Sequence, residues 1–169
     1  NNSKIKKSFE NLLKNQPQLF NTLKPSYKYN YSKKLILKYK KFLNIRIIGM
    51  GGSILGCEAI YDFLKKKIKK KLTFVNNLNG NAPYFKDKKI NLNLIISKSG
   101  NTLETISNAN TLIKNKDKNI IITENQNNYL RKLAEELKSE VVDHKHYVGG
   151  RYSVLSEVGM LPAELMNLN

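Results

Sequence analysis

Residues 46–56 read Arg-Ile-Ile-Gly-Met-Gly-Gly-Ser-Ile-Leu-Gly, and they are the best guide to the fold class. A short apolar run ends in a glycine-rich turn, and the residues after the turn, up to Leu64, return to apolar positions at helical spacing. This order is typical of a buried β-strand, a tight turn and a covering helix. Four more short apolar runs predict further strands, at 72–76, 92–97, 119–123 and 140–143.

Amphipathic segments separate most of these predicted strands. Three predicted helix faces carry the apolar residues: Leu55, Ala59, Ile60, Phe63 and Leu64; Leu103, Ile106, Ala109 and Ile113; and Leu130, Leu133, Ala134 and Leu137. The connection at 77–90 has few helix signals. Apolar strands that alternate with helices form parallel sheets covered on both faces. We therefore predict an α/β fold, a three-layer αβα sandwich with a five-stranded, mainly parallel sheet.

Composition bounds the class of protein. The chain has 169 residues and one cysteine, Cys57, so an internal disulfide is impossible. No apolar run is long enough for a membrane span or a secretory signal, which predicts a soluble, cytoplasmic protein with no membrane partner. We expect residues 1–43 to form a helical N-terminal lead-in to a domain at 44–169.

The charge of +17 raises the question of nucleic acid. Nearly all of the excess is lysine, accompanied by many Asn and Ile residues, as an AT-rich coding sequence would produce. The alternation of Tyr27, Tyr29 and Tyr31 with lysines is a weak signal for stacking on bases. We predict no nucleic-acid partner, and a basic nucleic-acid binder remains the least favoured alternative.

The turn after the first strand, at 49–56, offers backbone N–H groups at a helix start, which suits an anion. It lacks the Lys and Ser or Thr that a Walker loop needs, because Cys57 and Glu58 follow Gly56. It also has Ile54 where a dinucleotide fingerprint has glycine. A magnesium nucleotide and NAD are therefore unsupported, and a glycine turn needed only for packing is the alternative.

The turn after the third strand reads Ser97-Lys98-Ser99-Gly100-Asn101-Thr102 and opens a helix. Hydroxyl groups, a permissive glycine and a helix N-terminus together can hold a phosphate monoester without metal. The alternative is an ordinary capping segment, with Thr102 or Asn101 as the N-cap. Two such turns, after neighbouring strands, predict one phosphate pocket between them.

The segment after the fifth strand, 144–156, carries His144, His146 and Arg151. Two histidines without a third ligand make a poor metal site, so we predict no metal. Arg151 follows two glycines, which let the backbone approach a ligand closely while the guanidinium stays charged in a cleft. Pairing with a nearby carboxylate is the alternative for Arg151.

Three motifs together, GMGGSILG, SKSGNTLET and VGGRYSVLSEVGMLP, resemble the phosphoglucose isomerase family from about residue 44 to the end. SKSGNT alone is similar to the wider group of sugar isomerase (SIS) domains, which have a flavodoxin-like sheet. VGGRYSVLS is the narrower motif. A stand-alone SIS module that binds a phosphosugar without catalysis is the alternative.

The resemblance implies an aldose–ketose isomerase of glycolysis and gluconeogenesis that interconverts glucose 6-phosphate and fructose 6-phosphate through a cis-enediolate, without a cofactor. It implies that Arg151 is the catalytic arginine near the reacting carbons. It also implies a homodimer in the full-length protein. The residues implied to surround the substrate phosphate are Gly52, Ser53, Ser97, Lys98, Ser99 and Thr102.

One departure from the family pattern concerns the proton-transferring glutamate, which the family carries in a later motif of the Met-Glu-Ser-Asn-Gly type. Glu104, Glu157 and Glu164 stand in no such context, and the histidines do not match the family's histidine motif. We therefore expect an amino-terminal fragment, truncated at its C-terminus, that binds the substrate without turning it over.

Overall fold

The computed structural model describes residues 2–15, 17–78, 92–114 and 116–168. Six α-helices and five β-strands lie in these ranges, joined in part by short 3-10 turns. The helices are α1 (Asn2–Asn15), α2 (Lys33–Tyr39), α3 (Leu55–Leu64), α4 (Leu103–Leu112), α5 (Tyr129–Glu136) and α6 (Glu157–Leu165). The strands are β1 (Asn44–Gly49), β2 (Lys71–Val75), β3 (Leu92–Ile96), β4 (Lys118–Glu124) and β5 (Glu140–His144).

The five strands form one parallel sheet in the order β2-β1-β3-β4-β5. Each predicted strand agrees with an observed one to within two residues at either end. The chain leaves β1 to one side, to form β2, and later returns to its other side as β3. The connection between β2 and β3 lies largely outside the described residues, and so does most of the stretch predicted to have few helix signals.

Helices cover both faces of the sheet, as the apolar strands require. One face buries Ile47, Leu94 and Ile122 beneath α2, α3 and α6. The opposite face buries Ile95 and Ile121 beneath α4 and α5. The three-layer αβα sandwich with a parallel five-stranded sheet is therefore confirmed.

Two of the predicted helix faces are wrong in part. On α3, Leu55 is 56% and Phe63 87% exposed, and the helix is buried through Cys57 instead. The cause is Gly56, whose missing side chain lets α3 lie directly against Val154 and so sets the rotation of the helix. On α4, Leu103 is 68% exposed because it stands at the turn that opens the helix.

The segment before α2 is tied to α6 by tyrosine hydroxyls. Tyr27 donates to both carboxylate oxygens of Glu157, at 3.3 and 3.2 Å, and Tyr31 donates to Glu164 at 2.8 Å. Glu157 is fully buried and also accepts the Asn30 N–H at 3.1 Å. Burial and then the Glu157 carboxylate raise the pKa of Tyr27, so the phenol stays protonated and keeps donating.

No helix in the described ranges combines the length and the apolar character that crossing a membrane would require. The predicted division of the chain at residue 43 stays a prediction.

Candidate functional site: two anion-accepting turns and an arginine segment

The site lies where the direction of the strand order reverses, between β1 and β3. In open parallel sheets, ligands bind beyond the carboxyl ends of the strands at such a reversal. The chain after β1 forms the glycine turn at 49–56, and the chain after β3 forms the hydroxyl turn at 97–102. Because β1 and β3 are hydrogen-bonded neighbours, the two turns start side by side.

The glycine turn is compact and needs its glycines. Gly51 has a φ of +54°, a conformation that favours glycine. A Cβ on Gly49 would stand 3.1 Å from the Ile96 carbonyl oxygen, at the start of the hydroxyl turn. Ser53 is half-buried, and its hydroxyl makes no hydrogen bond to another described residue. The turn therefore presents one unused hydroxyl next to the hydroxyl turn.

The hydroxyl turn closes on itself through its side chains. The hydroxyl oxygens of Ser97 and Thr102 lie 2.9 Å apart, and the Gly100 N–H donates to Ser97 Oγ at 3.2 Å. Gly100 has a φ of +68°, and a Cβ there would overlap the side chain of Asn128. Ser99 is exposed and accepts the Asn101 N–H at 3.3 Å. The arrangement holds three hydroxyls around one short loop.

The helix starts at these two turns differ from those of α2, α5 and α6. Helices α2, α5 and α6 each have an N-cap side chain that accepts a first-turn N–H, from Ser32, Asn128 and Ser156 respectively. Helices α3 and α4 have none, although Thr102 stands at the N-cap of α4. Within the described ranges, the N–H groups of 103–105 have no hydrogen-bond acceptor. An anion can satisfy such groups and is favoured by the helix dipole.

The segment that carries Arg151 packs against the glycine turn. A Cβ on Gly52 would overlap the Gly150 carbonyl and stand 2.7 Å from the Arg151 nitrogen. Ser153 Oγ donates to the carbonyl oxygens of Gly150 and Gly52, at 2.7 and 3.1 Å. Arg151 itself is exposed, and no described carboxylate pairs with it. Its guanidinium is therefore available to a ligand.

Lys98 lies in the hydroxyl turn, but its side chain contacts other parts of the chain. Its ammonium donates to the His146 carbonyl at 2.7 Å and lies 3.4 Å from Glu124 Oε1. The Lys98 carbonyl accepts from Thr123 Oγ1 at 3.2 Å and from the Glu124 N–H at 3.0 Å. Lys98 thus connects the hydroxyl turn to the ends of β4 and β5.

The two histidines do not form a metal site in the structure. His144 is buried, and its Nδ1 lies 3.1 Å from the Lys145 carbonyl; burial and then the charge of Lys98 lower its pKa. His146 is exposed and lies edge-on to Tyr147. Across the described ranges, no group of three or more His, Cys, Asp or Glu residues could hold a metal ion. A cavity of about 290 Å³ lies at the ends of β4 and β5 and is lined by both histidines and by Glu124 and Asp143.

The structure brings the sequence-predicted residues into two linked groups. Ser97, Ser99 and Thr102 share the hydroxyl turn, and Gly52, Ser53 and Arg151 meet at the glycine turn. Sequence reasoning missed Glu124, Asn128 and Ser153, which support these groups. Glu124 ends β4, so the rule that directs attention to the carboxyl ends of strands could have found it. Asn128 is the N-cap of α5, which the local sequence could have suggested. Its contact with Gly100, and that of Ser153 with Gly52, come from long-range packing and left no local signal.

A doubly wound α/β domain with two uncapped helix starts at its strand-order reversal has features that are typical of phosphate-binding domains. Comparison with known proteins identifies the family. The phosphoglucose isomerase family model matches residues 33–167, which is most of the chain. The chain therefore belongs to the phosphoglucose isomerase family.

Curated relatives agree with this assignment. The glucose-6-phosphate isomerase of Methanocaldococcus jannaschii is 36% identical over 74% of this chain and 34% of that protein. The glucose-6-phosphate isomerase of Mycoplasmopsis synoviae is 37% identical over 69% of this chain and 31% of that protein. The chain spans about a third of the length of these relatives.

Solved structures show the same fold at lower sequence identity. A hypothetical protein from Thermus thermophilus matches with a TM-score of 0.79 and 19% identity, over 99% of this chain and 45% of that one. Tagatose-6-phosphate ketose/aldose isomerase from Escherichia coli matches with a TM-score of 0.56 and 17% identity, over 95% and 43% of the two chains. Both likenesses support the α/β architecture.

Proposed function

We propose that this chain binds the phosphate group of glucose 6-phosphate and fructose 6-phosphate and forms part of a glucose-6-phosphate isomerase. The observation that carries the proposal is the pair of uncapped helix starts at the two neighbouring turns. A phosphate there would accept hydrogen bonds from N–H groups that have no acceptor in the described part of the chain. The curated relatives named above carry this activity, and the family assignment supports extending it to this chain.

The residues proposed to surround the phosphate are Gly52 and Ser53 from the glycine turn and Ser97, Lys98, Ser99 and Thr102 from the hydroxyl turn. Short hydroxyls suit this task because each can donate to a phosphate oxygen. The phosphate is remote from the reacting carbons, so its binding energy can orient the sugar for the chemical step.

Arg151 is the residue proposed to act on the sugar. The isomerisation removes a proton from C2 and returns one to C1, through a cis-enediolate whose oxygens carry negative charge. A guanidinium fixed near those oxygens stabilises charge that develops in the transition state. Because Gly150 and Ser153 anchor its neighbours to the glycine turn, Arg151 is held beside the proposed phosphate pocket.

Titration calorimetry with fructose 6-phosphate tests the proposal. We expect saturable binding, and Ser97→Ala should weaken it about tenfold because it removes a hydroxyl from a charged ligand. Ser107→Ala, in the middle of α4, is the matched control and should leave the Kd unchanged. Arg151→Ala should weaken binding of the phosphosugar more than binding of inorganic phosphate.

Two results would count against the proposal. One is the absence of saturable phosphosugar binding. The other is tight binding to a DNA duplex that falls steeply with salt and is indifferent to Ser97→Ala, which would favour the nucleic-acid alternative. The homodimeric assembly, the cytoplasmic location and the lack of a nucleic-acid partner stay predictions from the sequence.

A further inference from the structure

The side chain of Lys98 is committed to two contacts outside the hydroxyl turn. Its ammonium donates to the His146 carbonyl at 2.7 Å, and the Glu124 carboxylate stands 3.4 Å away. Glu124 is held in turn by Gln126, whose amide donates to its other oxygen at 2.8 Å. The ammonium therefore lies between the ends of β4 and β5, on the side of the turn away from the β1 strand.

The His146 carbonyl belongs to the segment that leads to Arg151. Between them the chain makes one tight turn after another: the Val148 N–H bonds the Lys145 carbonyl at 3.0 Å, and the Tyr152 N–H bonds the Gly149 carbonyl at 2.9 Å. The far end of the segment is fastened at Ser153, which donates to Gly52. The arginine segment, residues 146–153, is thus attached to the hydroxyl turn at one end and to the glycine turn at the other.

We infer that Lys98 is a positioning residue: its ammonium ties the arginine segment to the phosphate turn and so sets the place of Arg151 relative to the phosphate. This inference rests on the proposed function, and it refines the role of one residue of the proposed pocket. Lys98 belongs to the loop that surrounds the phosphate, but its ammonium binds the His146 carbonyl and the Glu124 carboxylate and not the phosphate.

Direct binding of the ammonium to the phosphate is the competing role, and the two roles predict opposite effects of Glu124→Gln. If the ammonium binds phosphate, loss of the competing carboxylate frees it and tightens binding. If the ammonium positions the arginine segment, loss of the carboxylate loosens the hold of the ammonium on that segment and weakens binding of the phosphosugar. Work at about 0.15 M salt limits the general effect of one changed charge, because the Debye length is then about 8 Å.

The experiment compares fructose 6-phosphate with inorganic phosphate as ligands of the 169-residue chain, by calorimetry. Lys98→Met should weaken phosphosugar binding about fivefold, in the range of one lost hydrogen bond, and change phosphate binding by less than about twofold. Glu124→Gln should weaken phosphosugar binding about twofold. Lys98→Arg keeps the positive charge, so it should retain most of the affinity that Lys98→Met loses. Lys132→Met, an exposed lysine of α5, controls for net charge and should change neither Kd.

An equal loss of affinity for both ligands in Lys98→Met, or tighter binding in Glu124→Gln, would overturn the inference. Amide NMR spectra of the unliganded chain test the inference about Lys98 independently of the proposed function. The signals of residues 147–152 should shift in Lys98→Met and return towards their wild-type positions in Lys98→Arg. If wild type binds neither ligand, the proposed function is wrong, and unshifted amide signals would then show that the tie is absent as well.

Discussion

Single residues set the distances within this site, and Gly52 is the clearest case. Its position against Gly150 leaves no room for a Cβ, so the backbones of the glycine turn and the arginine segment are in direct contact. Gly150, on the other side of the contact, has open space where its own Cβ would stand. Two glycines in one contact therefore have different tolerances to the same substitution.

Gly52→Ala should destabilise the chain by about 2 to 3 kcal/mol, because the methyl group must displace backbone and not a flexible side chain. Gly150→Ala should change the free energy of unfolding by less than about 1 kcal/mol, since nothing opposes its methyl group. Urea denaturation of both variants measures the difference. Equal costs at the two positions would contradict the packing described here.

The hydroxyl residues of the site could be identified from the sequence, because local order alone places Ser97 and Thr102 after a strand and before a helix. The direction of the Lys98 side chain could not. It depends on the Glu124 carboxylate at the end of β4 and on the His146 carbonyl after β5, which reach Lys98 only after the sheet has formed. The exposure of Arg151 likewise depends on how its segment packs.

At the scale of elements, the missing cap of α4 has a measurable cost. Thr102 stands at the N-cap position, yet its hydroxyl lies against Ser97 and leaves the first-turn N–H groups without an acceptor among the described residues. A cap is worth about 1 kcal/mol to a helix. Helix α4 is therefore less stable than it would be with a capped N-terminus.

Thr102→Asp should raise the stability of the chain by about 0.5 to 1 kcal/mol, because a carboxylate accepts first-turn N–H groups and favours the helix dipole. The same change should abolish measurable binding of fructose 6-phosphate, since the carboxylate repels the phosphate. Thr102→Asn supplies an acceptor without charge and is the matched variant, with a similar gain in stability and a smaller loss of binding. Thermal unfolding and calorimetry measure the two effects, and a destabilised Thr102→Asp that still binds would contradict the account.

The sequence predicted which helices and strands form, and in what order, better than it predicted which face of each helix is buried. The face of α5 was predicted correctly because Leu130, Leu133 and Ala134 are its strong apolar positions, and all three are buried. The face of α3 was not, because Leu55 and Phe63 match a helical period as well as Cys57 does. The choice between them is made by Gly56 against Val154, a contact between residues nearly a hundred positions apart.

At the scale of the whole molecule, the lead-in before α2 is fastened to the last helix. Glu157 is fully buried, and within the described residues it has hydroxyl and N–H donors but no cationic partner. The tyrosines that alternate with lysines in the sequence thus have a packing role. Tyr27 and Tyr31 are bonded to α6, and Tyr29 is stacked on Tyr31 at 5.1 Å between ring centroids.

Tyr27→Phe should destabilise the chain by about 1 to 3 kcal/mol, because it leaves a buried carboxylate short of a donor. Tyr29→Phe removes a hydroxyl that bonds no described residue, and it should cost less than about 0.5 kcal/mol. Guanidinium denaturation of the two variants makes the comparison. A Tyr27→Phe cost as small as that of Tyr29→Phe would mean that ring packing, which both variants keep, holds the lead-in, and not the hydrogen bond to the carboxylate.

The double attachment of the arginine segment has a consequence for the thermodynamics of recognition. A ligand that meets a disordered loop must supply the free energy that orders it, and part of the contact energy is lost in that step. Residues 146–153 are already fixed, by Lys98 at one end and Ser153 at the other. Complex formation here therefore demands little loss of backbone entropy, and more of the contact energy remains as affinity.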